Sequence, residues 1–210
     1  MQDVVLLSKC SSQQFDKIYA IYEKSFPLSE QKSKEFFRTL FEREDYSIFI
    51  CQNQDEIEGF TIFYTPLALD FILLEYMAIN GNIRSKGLGS KLFQYAISQL
   101  YKVDTKPILI EIDSTKDSSE NWEINNKRAD FYRKNGCRIV ENFDYILGLK
   151  SEYIASKMQL MIYSPNKEHI EKKSLKRYIQ EIYSNVYNRS KDDINIEKMF
   201  ENLDENLILR

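Results

Sequence analysis

Leu73-Leu74-Glu75-Tyr76-Met77-Ala78-Ile79 runs into Asn80-Gly81-Asn82-Ile83-Arg84-Ser85-Lys86-Gly87-Leu88-Gly89-Ser90, and that into Lys91-Leu92-Phe93-Gln94-Tyr95-Ala96-Ile97-Ser98-Gln99-Leu100-Tyr101. The first stretch is an apolar run broken only by Glu75, which reads as a buried strand. In the third, Leu92, Phe93, Ala96, Ile97 and Leu100 recur at helical spacing. A second apolar run, Pro107-Ile108-Leu109-Ile110-Glu111-Ile112-Asp113, follows the helix. Strand, glycine loop, helix, strand is a βαβ unit, so the two strands should be parallel neighbours joined by a right-handed crossover.

The loop between strand and helix has chemical content. Gly87 and Gly89 let the backbone turn tightly and approach a ligand with no side chain in the way. The N–H groups of Leu88, Gly89 and Ser90 then open a helix, where successive amides and the helix dipole make a nest for an anion. Arg84 and Lys86 add mobile positive charge for phosphate oxygens. Other glycine loops fit worse. Gly81 and Gly87 are one residue too far apart for a Walker A loop, and no Lys-Ser or Lys-Thr follows. A Rossmann G-x-G-x-x-G fails at Leu92.

Upstream, Val4 to Ser8 reads as a strand and Gln13 to Lys24 as a helix carrying Phe15, Ile18, Tyr19 and Tyr22 on one face. Pro27 interrupts it. Ser29 is the expected cap of a second helix with Phe36, Phe37, Leu40 and Phe41 as its stripe. Tyr46 to Cys51, Glu58 to Tyr64 and Leu67 to Ile79 read as an antiparallel meander, with Asp55 or Gly59 and Thr65-Pro66 at the turns. Downstream come a polar insert, a helix near Asn126 to Lys134, Gly136, and the strands Cys137 to Glu141 and Lys157 to Tyr163. The fold class is therefore α/β: a mixed, mostly antiparallel central sheet with one parallel βαβ pair and flanking helices. Beyond Pro165 a charged, tyrosine-rich tail carries one helical stripe, Leu175, Tyr178, Ile179, Ile182, Tyr183 and Val186. A shorter stripe is formed by Met199, Phe200, Leu203 and Leu207. It either packs back on the domain or offers a surface for an oligomer, such as a homodimer, or for another partner.

Composition narrows the chemistry. The 210 residues carry 43% hydrophobic and 13% aromatic residues, enough for a folded core. A net charge of -3 gives no general footprint for nucleic acid. No apolar run reaches the roughly 20 residues that span a bilayer. The opening residues lack the succession of a secretion signal, so no membrane and a cytoplasmic location are expected. Cys10, Cys51 and Cys137 lie far apart and His169 is the one histidine, so no metal site and no Cys-His or Ser-His nucleophile is expected.

Arg84-Ser85-Lys86-Gly87-Leu88-Gly89 matches R-x-x-G-x-G, and Arg128-Ala129-Asp130-Phe131-Tyr132-Arg133-Lys134-Asn135-Gly136-Cys137 carries Phe-Tyr through Lys-x-Gly into a strand. In this order and spacing the two segments resemble the GNAT superfamily of N-acetyltransferases, over about Val4 to Tyr163. The resemblance implies a transferase domain over 1–164 and a helical extension over 165–210. It implies acetyl-CoA as co-substrate, with the loop from Arg84 through Ser90 on its diphosphate and Asn125, seven residues before Tyr132, also facing it. The amides of Met77 and Ile79 would pair with the pantetheine arm. Cys137 stands where the family commonly has Phe, a change of packing rather than chemistry.

A lysine-like amine is protonated in water, with a pKa of about 10.4, so something must remove a proton before it attacks. Glu75 and Glu111 each interrupt an apolar strand and are the candidates, since glutamate is seldom buried without reason. By resemblance Glu111 matches the base and Glu75 a substrate-binding position, with the roles exchangeable, and Tyr132 matches the acid that reprotonates the leaving thiolate. The acidic balance favours a small cationic amine as acceptor. The aromatic loops Phe26 to Arg38 and Tyr145 to Ser156 should line its side. A CoA-binding module without catalysis, associating through the tail, is the competing reading. The two glutamates and Tyr132 favour the enzyme.

Overall fold

Ser11 starts the first helix by a reciprocal cap: its hydroxyl accepts the Gln14 N–H at 3.2 Å while the Gln14 side chain accepts the Ser11 N–H at 3.0 Å. The computed structural model describes residues 2–84, 86–103, 105–116, 121–149 and 158–210. Ser85 of the glycine loop, 117–120 of the polar insert, Lys157, and all of the Tyr145 to Ser156 segment beyond Leu149 lie outside the described residues. The helices and strands follow as β1 (Gln2–Leu6), α1 (Ser12–Ser25), α2 (Lys34–Thr39), β2 (Tyr46–Asn53), β3 (Glu56–Tyr64), β4 (Ile72–Ile79) and α3 (Leu88–Leu100). Then come β5 (Ile108–Asp113), α4 (Trp122–Lys134), β6 (Cys137–Ile139), β7 (Met158–Tyr163), β8 (His169–Glu171), α5 (Lys172–Asn185), α6 (Ile194–Phe200) and β9 (Asn206–Ile208).

By its contacts the chain divides into two units: Met1–Ala68 with Leu74–Lys106, and Leu69–Leu73 with Pro107–Arg210. In the first, strands run in the order β1-β2-β3-β4. The first three pair antiparallel, as the meander requires. Phe15, Tyr19, Tyr22, Phe37, Phe60 and Tyr76 form a continuous aromatic cluster, with Tyr22 and Phe37 stacked at 4.2 Å between centroids. Gly59 lies inside β3, not at a turn: a Cβ there would stand 2.8 Å from the Ala78 carbonyl of β4. The turn is made instead at Gln54 and Asp55, with Gln54 left-handed at φ 54°.

In the second unit the order runs from the start of β4 through β5 and β7 to β6. The start of β4 lies parallel to β5, and Ile72 N–H donates to the Pro107 carbonyl at 2.9 Å. The β5/β7 and β6/β7 pairs are antiparallel. This is the mixed sheet expected. The tail stripe also forms as read: Leu175, Ile179, Ile182 and Tyr183 are fully buried along α5.

Three local readings need correction. Ser33, not Ser29, caps α2, accepting the Phe36 N–H at 3.2 Å, because Ser29 is spent in a 3-10 turn over Leu28–Glu30. β4 begins at Ile72 rather than Leu67. Pro66 has no N–H to give a ladder, and Leu67 behind it is 89% exposed. The tail is not helical throughout: the segment around His169 is β8, paired antiparallel with β9, and α5 begins at Lys172. Leu207 accordingly belongs to β9 and not to a second helical stripe.

Candidate active site

In the first unit, the chain leaves β4, passes Asn80, and enters α3 through Gly87 at φ 77°, ψ -2°. That left-handed conformation is open to glycine and strained for other residues, so the second fixed position of the motif is a backbone requirement. The N-cap residue of α3, Gly87, has no side chain with which to cap it, and the first turn of the helix contains no acidic residue. A Cβ at Gly87 would meet nothing within 4 Å. An uncapped helix head with open space above its glycine fits a diphosphate. Arg84 and Lys86 are exposed beside it, and Arg84 Nε is tied to the Ile79 carbonyl at 3.1 Å, which fixes the root of the guanidinium. Leu88 is buried as the helix anchor, while Gly89 and Ser90 are half-buried. These residues are together, as the motif implies.

Glu75, Met77 and Ile79 alternate along β4 as its half-buried face, opposite the buried Leu74, Tyr76 and Ala78. Glu75 is not alone. Lys32 Nζ donates to its Oε1 at 2.6 Å and the Tyr46 hydroxyl to its Oε2 at 2.8 Å, with the carboxylate side chain only 4% exposed. Lys32 is itself held by Phe36, whose ring centre lies 4.8 Å from Nζ, and by its backbone N–H, which donates to the Tyr22 hydroxyl at 2.7 Å. Burial, reinforced by the Glu75 charge, pushes the Tyr46 phenol well above its ordinary range, so it stays a donor. Lys32→Met should therefore cost about 3 kcal/mol of stability, because it strands a buried carboxylate. Chemical denaturation of the unliganded protein checks this.

In the second unit, Glu111 points out of β5 and is half-buried. Tyr145 hydroxyl donates to Oε1 and Tyr187 hydroxyl to Oε2, so both oxygens are engaged by phenols. Tyr145 is fixed through its backbone, which exchanges hydrogen bonds with Met158 at 3.2 and 3.3 Å. Burial and the neighbouring Glu111 charge hold the Tyr145 phenol far above its usual range.

Tyr132 is buried on α4, 5.0 Å edge-on from Phe131. Burial raises its phenol pKa well above 10, and the Arg128 charge opposes this only in part. Asn125, one helical face from Tyr132, is buried and donates to the Ser114 carbonyl at 3.4 Å just past β5. Asn126 is half-buried and its side chain turns back to the Trp122 carbonyl at 2.8 Å, so of the two asparagines Asn125 faces inward. Burial pushes the Cys137 thiol up to about 12, in keeping with a packing role.

Lys32, Tyr46 and Tyr187 were not singled out from the sequence. Lys32 and Tyr145 sat in segments expected to line the acceptor side, but nothing local marked their partners.

Comparison with known proteins converges on this architecture. The family profile described as "Acetyltransferase (GNAT) domain" matches residues 44–138. YjbC of Bacillus subtilis (strain 168), named as a candidate acetyltransferase, is 27% identical over 181 residues, covering 86% of this chain and 85% of its own. A candidate GNAT-family acetyltransferase from Bacteroides thetaiotaomicron superposes with a TM-score of 0.66 at 20% identity, over 89% of this chain and 98% of that one. An aminoglycoside 6'-N-acetyltransferase solved with coenzyme A gives 0.63 at 14% identity, over 79% and 98%. The motifs at 84–90 and 128–137, the fold and these matches agree in their likeness to the GNAT acetyltransferases, whose domain profile matches residues 44–138.

Proposed function

We propose that the protein transfers an acetyl group from acetyl-CoA to a primary amine of a small cationic acceptor, with residues 165–210 as an extension of a transferase domain over 1–164. The observation that carries this is the uncapped, acid-free head of α3 behind a left-handed Gly87, flanked by Arg84 and Lys86, within the residues that the GNAT profile matches. When bound, acetyl-CoA would supply an acetyl group activated as a thioester. Arg84, Lys86 and the amides of Leu88, Gly89 and Ser90 would hold its diphosphate, the β4 backbone at Met77 and Ile79 its pantetheine arm, and Asn125 would face it from α4.

The two glutamates divide by their partners. Lys32 already neutralises Glu75, so we assign Glu75 to the framework of the acceptor pocket rather than to proton transfer. Glu111 accepts hydrogen bonds from the phenols of Tyr145 and Tyr187, one on each carboxylate oxygen. By its place in the resemblance Glu111 is the base: it takes a proton from the acceptor ammonium, and the neutral amine attacks the carbonyl carbon. As the C–S bond breaks, Tyr132, held protonated by burial, gives its proton to the departing sulfur, and the second proton shed by the new amide nitrogen restores the phenol through solvent.

Titration calorimetry with acetyl-CoA, followed by thiol release across a panel of polyamines, amino acids and aminoglycosides, tests the reading. Binding with turnover on at least one amine is expected. Absence of binding sinks it, and binding without turnover on any amine would favour a CoA-sensing module.

A further inference from the structure

Tyr187 lies one residue beyond the α5 cap, where Asn188 turns left-handed at φ 52° and the Arg189 N–H returns to the Tyr183 carbonyl at 2.8 Å. The turn is pinned again by Arg189 and Asp193, paired at 2.5 Å. From this fixed point the Tyr187 ring lies directly on Gly148: a Cβ at that glycine would stand 2.5 Å from ring Cδ2 and 3.0 Å from Cβ of the tyrosine. Its hydroxyl reaches Glu111 Oε2. The same extension also grips the chain just before Gly148. Tyr183 hydroxyl donates to the Ile146 carbonyl at 2.6 Å, and the Ile146 N–H approaches Met199 Sδ of α6 at 3.1 Å. Residues 145–148, which supply the other phenol on Glu111, are thus clamped by α5 and α6.

We infer that Tyr187 is a positioning residue for Glu111, supplied by the C-terminal extension: with Tyr145 it holds the carboxylate ionised and fixed in direction, its ring seated on Gly148. The inference deepens the reading of Glu111 as base and rests on it for its catalytic meaning. The geometry argues for function over simple packing, because a core tyrosine needs one acceptor for its hydroxyl. Here two phenols from distant segments converge on one carboxylate, one on each oxygen. Among the described residues, the titratable groups about Glu111 include Tyr145, Tyr187 and, one ring further, Tyr183.

The test uses the full chain with 13C-labelled glutamate carboxyls, the Glu111 resonance being assigned by its loss in Glu111→Gln. Tyr187→Phe keeps the ring on Gly148 and removes one donor to the ionised form. Glu111 should then titrate about one pH unit higher than in the parent. Gly148→Ala displaces the ring instead and should shift the titration in the same direction, while the double variant should shift no further than Tyr187→Phe alone. Unchanged titration in Tyr187→Phe overturns the inference; should that variant fail to fold, unchanged titration in Gly148→Ala does so. The underlying reading fails separately. If Glu111→Gln retains the parent kcat/KM with acetyl-CoA and spermidine, Glu111 is not the base, whatever the titration shows.

Discussion

Gly89→Glu is expected to weaken acetyl-CoA binding at least about 100-fold, since it sets a carboxylate among amides and cations arranged for a diphosphate. Gly89 is the second residue of α3, in a first turn with no acidic side chain. The same change should leave the unliganded protein at least as stable. Glutamate is the better helix former by roughly 0.5 kcal/mol or more, and a negative charge at a helix N-terminus is favourable by about 0.3–1 kcal/mol. Loss of binding with an unchanged or raised melting temperature separates electrostatic exclusion from unfolding. Calorimetry and a thermal melt on one preparation suffice. Retained affinity would mean that the diphosphate is held elsewhere, and the assignments that depend on it would fall.

Tyr132→Phe should lower kcat by about 10- to 100-fold while leaving acetyl-CoA affinity within about twofold, the pattern of an interaction made only in the transition state. The ring stays, so packing against Phe131 is kept. The pH dependence follows from burial. Because the phenol is held above its ordinary range, the protonated donor persists above pH 10, and the parent should show no alkaline fall in kcat from this residue below that point. An alkaline limb near pH 8 that vanishes in the variant would contradict this environment, and equal kcat across pH would remove Tyr132 from the mechanism.

The head of α3 was legible in the sequence because its chemistry is local. A left-handed glycine, an uncapped helix start and two cations follow one another within seven residues, and strand and helix periodicities on either side fix their setting. Tyr132 and Asn125 were legible for a related reason: seven residues on one helix put both on the same buried side. Local misreadings came where two residues competed for one role. Ser29 and Ser33 are both fair caps, and only the 3-10 turn after Pro27 decides between them.

The sequence alone determined that two glutamates interrupt apolar strands and therefore need partners. It could not say which partners. Those come from 43 residues away for Glu75, in Lys32, and from 34 and 76 residues away for Glu111, in Tyr145 and Tyr187. Helical and strand periods carry no information over such separations. The register of β5 against β7 and the docking of α5 bring Tyr145 and Tyr187 to Glu111, so which partners a glutamate meets belongs to the tertiary structure.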